Sequence, residues 1–211
     1  VVSEGVEVQN TVPSDPTVVL VSTEGKLESE FSCEITDDAK DEDGDTLNYV
    51  YGWAINGFKN EAATGKTVVP AELVADGTGA AVRGGDSIRC TLQVDDDEDS
   101  TAVAQSQDFE ILNTAPSGGV AEVQSAGAQE GDTLSCVPSG GEDPDGDAIT
   151  WLYTWWVDGT LVQGQTGTTL SSEHFDRDDY VQCEVTPTDG KDPGEPVMAA
   201  EGVTIVNILP L

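Results

Sequence analysis

Two short acidic turns, Asp41-Glu-Asp-Gly-Asp45 and Asp143-Pro-Asp-Gly-Asp147, carry the residue types and spacing best suited to chemistry in this chain. Aspartates at alternate positions aim several carboxylates into one space, and the glycine permits a tight bend. That is the donor chemistry of calcium, a hard cation that takes about six to eight oxygen ligands. Five residues supply too few, so each turn is half a site. The loops are not EF-hands, because Gly44 and Gly146 stand fourth rather than sixth, and Gly52 and Thr154 take the place of the twelfth-position glutamate. The missing ligands are expected from a second acidic stretch in each half. Asp95, Asp97 and Asp99 would join Asp41, Asp43 and Asp45, while Asp189 and Asp192 would join Asp143, Asp145 and Asp147. The competing reading is that Asp and Gly simply form turns and solubilise loop ends.

Catalytic residues are scarce. His174 is the lone histidine, and Ser171 and Asp176 beside it do not make a triad, which is a spatial arrangement. A surface or capping role suits His174 better, and pairing carboxylates for glycosidase chemistry would be arbitrary among so many. The chain therefore reads as a non-enzyme. Trp156, outward beside an inward Trp155, is a candidate sugar platform or partner contact, or else packs against a loop.

Charge narrows the partners. Eight Lys and Arg against 41 Asp and Glu give a formal charge of −33 over 211 residues, which excludes nucleic acid and disfavours an anionic membrane surface. Such a charge repels itself unless cations, bound or diffuse, offset it, so specific calcium and general adaptation to salt are the two readings. Disorder is opposed by the 37% hydrophobic content and its strand-like alternation. Four cysteines without a Cys-x-x-Cys point to an oxidising compartment, and no apolar run is long enough for a membrane helix. Starting at Val1, the chain reads as a processed product or a piece of something longer.

The positioning elements are strands. In the first half, Pro16–Ser22, Lys26–Thr36 and Leu47–Ile55 alternate, with Leu47, Tyr49, Tyr51, Trp53 and Ile55 on one face. Ala62–Gly85 is expected to hold two short strands, and Ile88, Cys90, Leu92 and Val94 face inward on the next, before the acidic run and a last strand. The second half repeats the plan. Leu134 and Cys136 face inward, as do Ile149, Trp151, Tyr153, Trp155 and Val157, and then Val181, Cys183 and Val185. Asn56-Gly57 and Asp158-Gly159 are matching hairpin turns. No helix is expected beyond one turn near Ser171–Asp176.

Joints of the form Asn-x-x-Pro recur at Asn10–Pro13, Asn113–Pro116 and Asn207–Pro210, each after an apolar alternating segment. The expected parts are thus 1–12, holding the last strand of a preceding repeat (Glu4–Gln9), then domains over 13–112 and 113–211. That strand would belong to a tandem array or complete another subunit.

Cys33…Trp53…Cys90 and Cys136…Trp155…Cys183 have the order of immunoglobulin domains, in which a buried tryptophan packs on a bridge between two sheets. The fold class is therefore all-β, two tandem immunoglobulin-like sandwiches in a rod. Each domain closing on itself gives Cys33–Cys90 and Cys136–Cys183, with free buried thiols as the alternative. Ile88 and Val181 stand where a tyrosine corner would put Tyr, which sets the chain apart from antibody domains proper. The acidic turn, the strand ending in Trp and the Asn-x-x-Pro joints together resemble bacterial tandem repeats of the PKD-like and cadherin-like type, over about residues 10–210. The resemblance implies a stiff, commonly calcium-dependent extracellular stalk of an adhesin or surface filament, partnered by neighbouring repeats or identical subunits. A carbohydrate- or protein-binding module, with a cell-surface glycan or protein as its ligand, and a filament subunit using its N-terminal strand are the alternatives.

Overall fold

Strict alternation of apolar and polar residues builds paired sheets in each half. The computed structural model describes residues 9–75 and 79–207. The chain divides into two compact units, Val1–Asn113 and Thr114–Leu211. The expected strand Glu4–Gln9 lies outside the described residues but for Gln9, as do residues 208–210 of the third joint.

In the first domain β1 (Thr17–Ser22), β2 (Phe31–Asp37) and β5 (Thr67–Val68) form one sheet, ordered β1-β2-β5. The facing sheet is β4 (Phe58–Asn60), β3 (Asn48–Ile55), β6 (Ser87–Asp95) and β7 (Ala104–Gln105), with β8 (Phe109–Glu110) also on β6. The second domain repeats this arrangement. Its sheets are β9 (Val120–Gln124), β10 (Leu134–Ser139) and β13 (Thr169–Leu170), against β12 (Thr160–Leu161), β11 (Thr150–Val157), β14 (Tyr180–Thr188) and β15 (Val197–Met198), with β16 (Val203–Thr204) on β14. The strand pairs of both domains are antiparallel. No helix among the described residues is long and apolar enough to cross a membrane. These are two tandem immunoglobulin-like β-sandwiches.

Alternation sets the register of the cores. Ile88, Cys90, Leu92 and Val94 on β6 are fully buried, and so are Val181, Cys183 and Val185 on β14. The sheets are stapled at their centres by Cys33–Cys90 and Cys136–Cys183, which close loops of 57 and 47 residues. In the chain-entropy account each bridge contributes about 4 kcal/mol. Trp53 and Trp155 are completely buried against these bridges' strands. A buried indole needs an acceptor for its N–H. Trp53 Nε1 donates to Gly65 O and Trp155 Nε1 to Gly167 O, both at 2.9 Å.

The structure corrects several expected bounds. The second strand begins at Phe31, not Lys26, because Lys26–Ser29 is a turn closed by the Ser29 N–H on Lys26 O. Leu27 is still buried from that turn. On β3 the inward face fades toward its start, leaving Tyr49 exposed at the rim, where its hydroxyl donates to Asp38 Oδ1 at 2.7 Å. Among the described residues of 62–85 there is one short strand, β5, followed by a 3-10 turn at Pro70–Glu72. The proline fixes the backbone for that turn and removes a ladder donor. The last strand of the first domain is split into β7 and β8. Ser172–His174 forms a single 3-10 turn.

Candidate metal centre

Each acidic turn is built around its first aspartate. Asp41 Oδ1 accepts the Asp45 N–H at 2.9 Å, and Asp143 Oδ1 accepts the N–H groups of Asp145 and Asp147 at 2.9 and 3.0 Å. Gly44 and Gly146 follow with φ of 84° and 73°, a conformation that costs glycine little. The second oxygens, Asp41 Oδ2 and Asp143 Oδ2, are buried and accept no hydrogen bond from any described residue. Burying such an acceptor unpaired is costly, so the same orphan at the same place in both domains needs a physical reason. One oxygen from each of Asp41, Asp43 and Asp45 lies within 4.8 Å of the others, close enough to share one cation.

The loops between β6 and β7 and between β14 and β15 lie at the same ends of their domains as the turns, but their carboxylates are arranged differently from expectation. Asp95 and Asp97 each accept from the Asn48 amide, at 3.3 and 2.9 Å. Asp99 accepts from the Asn10 amide at 3.3 Å. The structure therefore gathers Asp41, Asp43 and Asp45, whereas Asp95, Asp97 and Asp99 are engaged by asparagine amides. The central residue of this loop is Asp96, which alternate spacing passed over. It is buried and accepts the Glu98 and Asp99 N–H groups at 2.9 and 2.6 Å and the Asn10 amide at 2.9 Å. Its counterpart is Asp189, which accepts the Lys191 and Asp192 N–H groups at 2.7 Å. Both residues stand six positions after the second cysteine, a count that identifies them where alternation does not. Asp97 (φ 77°) then matches Gly190 (φ 86°).

A third group belongs to the site, and it comes from the joints. The Thr11 N–H donates to Asp43 Oδ2 at 2.7 Å, and the Thr114 N–H donates to Asp145 Oδ2 at 2.6 Å. The Asn-x-x-Pro segment thus fastens onto the middle aspartate of its own domain's turn. Asp145 is almost wholly buried beneath this contact, whereas Asp43 is exposed.

Electrostatics divide the two ends. Lys191 Nζ donates to Asp147 Oδ2 at 2.9 Å. That bond holds the ammonium above the usual lysine value; desolvation opposes it, and the charges of Asp147, Asp189 and Asp145 add to it. Asp192 shares this loop. In the first domain, backbone hydrogen bonding from Asp99 holds the Asp96 carboxyl below the usual range, with the Asn10 amide next in weight.

Trp156 is half-buried on the outer face of β11, and its Nε1 is buried without an acceptor among the described residues. That burial suits packing on its own domain rather than a flat exposed platform. His174 is half-buried in its 3-10 turn.

No family model and no curated protein matches the chain. Among solved structures, it is similar to the three N-terminal domains of the bacteriophage RB49 Highly Immunogenic Outer Capsid protein (Hoc). The identity is 16% and the TM-score 0.35, covering 92% of this chain and 59% of that one. It is similar to the FN1-FN3 domains of chicken CNTN1 at 11% identity and a TM-score of 0.35, covering 94% and 68%. A central fibronectin-III array of RIM-binding protein gives 12%, 0.24, 94% and 71%. The chain spans about three-fifths of the first of these, and likeness at such scores carries no argument about what this chain does.

Proposed function

We propose that the chain is a structural segment of an extracellular repeat protein, a disulfide-bonded stalk or surface filament whose domains are stiffened by calcium. The observation that carries this reading is the repeated orphan oxygen, Asp41 Oδ2 and Asp143 Oδ2, in turns that also hold the joint by Thr11 and Thr114. Carboxylates and backbone oxygens are the donors that calcium takes. Asp41, Asp43 and Asp45 would hold the ion in the first domain; in the second, Asp143, Asp145 and Asp147, with Asp189 and Asp192 from the adjoining loop. A bound cation would neutralise the turn and fix the segment where each domain begins. The two disulfides, one in each sandwich, suit a load-bearing role in an oxidising compartment. The likeness of the sequence to bacterial PKD-like and cadherin-like repeats supports the same reading, with neighbouring repeats or identical subunits as partners.

Thermal melting in calcium against sodium chloride of matched ionic strength tests the site. A ligand that binds only the folded state raises the midpoint, by about 2.7 kcal/mol of stability at 100 times its Kd. Small-angle scattering of the same samples tests the stalk, which requires calcium to lengthen or stiffen the particle. Equal midpoints in the two salts would leave general salt adaptation as the explanation.

A further inference from the structure

The outer face of the β3–β6 sheet in the first domain carries a groove of about 440 Å³, within the usual range of small-ligand sites. Its floor is Val50, Gly52 and Ala54 on β3, and Arg89, Thr91 and Gln93 stand on the neighbouring strand. Gly52 and Ala54 are buried although they have almost no side chain. A methyl group at Gly52 would come within 2.7 Å of Thr91 Oγ1, so the floor has no room to fill itself there.

The second domain shows what this place accommodates. Its β11 pairs Trp156 with Gln182 and Leu161, where β3 pairs Ala54 with Arg89 and Lys59. An indole thus lies on the face of one domain where the other has an open groove. The groove also holds a cation that its counterpart lacks. Arg89 Nε is buried without an acceptor among the described residues, and Nη1 approaches Asp108 Oδ1 only to 3.7 Å. On a side chain that is 30% exposed, the outer nitrogens of this guanidinium are the ones an incoming carboxylate can reach. Lys59 is occupied by Glu61 at 2.9 Å.

We infer that this groove binds a small planar aryl carboxylate, its ring over Gly52 and Ala54 in the place that Trp156 takes in the second domain, and its carboxylate on Arg89. The charge of −33 repels anions at long range, so binding strengthens as salt screens the field, while the contact with Arg89 persists.

Indole-3-acetate, titrated into the isotopically labelled chain at high salt and followed by amide chemical shifts, is the probe. Saturable shifts confined to Gly52, Ala54, Arg89, Gln93 and Gln105 are expected, with indole binding about ten-fold more weakly and tryptamine not at all. Arg89→Gln, which installs the residue of the second domain, is expected to weaken indole-3-acetate about ten-fold while leaving indole unchanged. Ala54→Trp is expected to abolish both, its fold being checked by the remaining amide spectrum. The inference is overturned by the absence of shifts up to millimolar probe. Tryptamine binding as well as indole-3-acetate, or Arg89→Gln leaving the preference for the acid intact, overturns it equally.

Discussion

Glu98 occupies, in the loop of the first domain, the position that Lys191 takes in the second, eight residues after the second cysteine in each case. The first acidic end, residues 41–45 and 95–99, carries nine carboxylates and no cation. The second, residues 143–147 and 188–192, carries five carboxylates and Lys191. Around an otherwise shared scaffold, one end holds its own counter-ion and the other depends on asparagine amides, backbone N–H groups and the solvent. Two sandwiches with matching cores can therefore differ sharply in their demand for cations. The second turn fits the repeat motif better, yet the first carries more carboxylates without a lysine among them.

The cores are the place to test whether the domains match at all. Trp53→Ala and Trp155→Ala should each cost about 3–5 kcal/mol, read as separate losses in each domain's thermal transition. Unequal losses would break the equivalence drawn from their shared indole-to-glycine hydrogen bonds. Next in size, the calcium-induced rise in melting midpoint should be larger for the first domain. Asp41→Asn should abolish it there, and Asp143→Asn should remove the smaller response of the second. Exchanging the loop residues sharpens the contrast. Lys191→Met should tighten calcium binding by the second domain roughly five-fold, and Glu98→Lys should weaken it by a similar factor in the first, measured by calorimetry.

The smallest effect concerns pH. Asp96 has a folded-state pKa below its unfolded value, so its contribution to stability is present above the unfolded pKa and is lost as pH falls through the lowered one. Lys191 has the opposite sign: its contribution is present below the unfolded lysine value and is lost as pH rises through the raised one. Acid should thus loosen the first loop and alkali the second. Asp96→Asn should flatten the acid limb of the first domain's stability profile, and Lys191→Met the alkaline limb of the second's.

The sandwich was legible because its signals are local and periodic. The Cys…Trp…Cys order and the run Ile88, Cys90, Leu92, Val94 each state which face is inside. The acidic end was half legible. Asp41, Asp43 and Asp45 lie in one tight turn, where sequence neighbours must be spatial neighbours. Asp96 escapes alternation because that is a strand rule, and the chain past the end of β6 is a loop that does not alternate. Asn10 and Thr11 read in sequence only as part of a joint, since nothing local ties them to Asp96 and Asp43, which lie 86 and 32 residues away. Only the repeated offset gives a clue: Thr114 precedes Asp145 by 31 residues, nearly the same interval.

The hydrogen bonds from Thr11 and Thr114 also decide where this protein can be cut. A domain trimmed at the prolines Pro13 or Pro116 would lose the N–H that its acidic turn requires, and with it the burial of Asp145. The second module thus starts no later than Thr114, where the two compact units divide, and Thr11 likewise belongs to the first domain rather than to a cord before it. Grafting, swapping or shuffling these repeats should follow that seam.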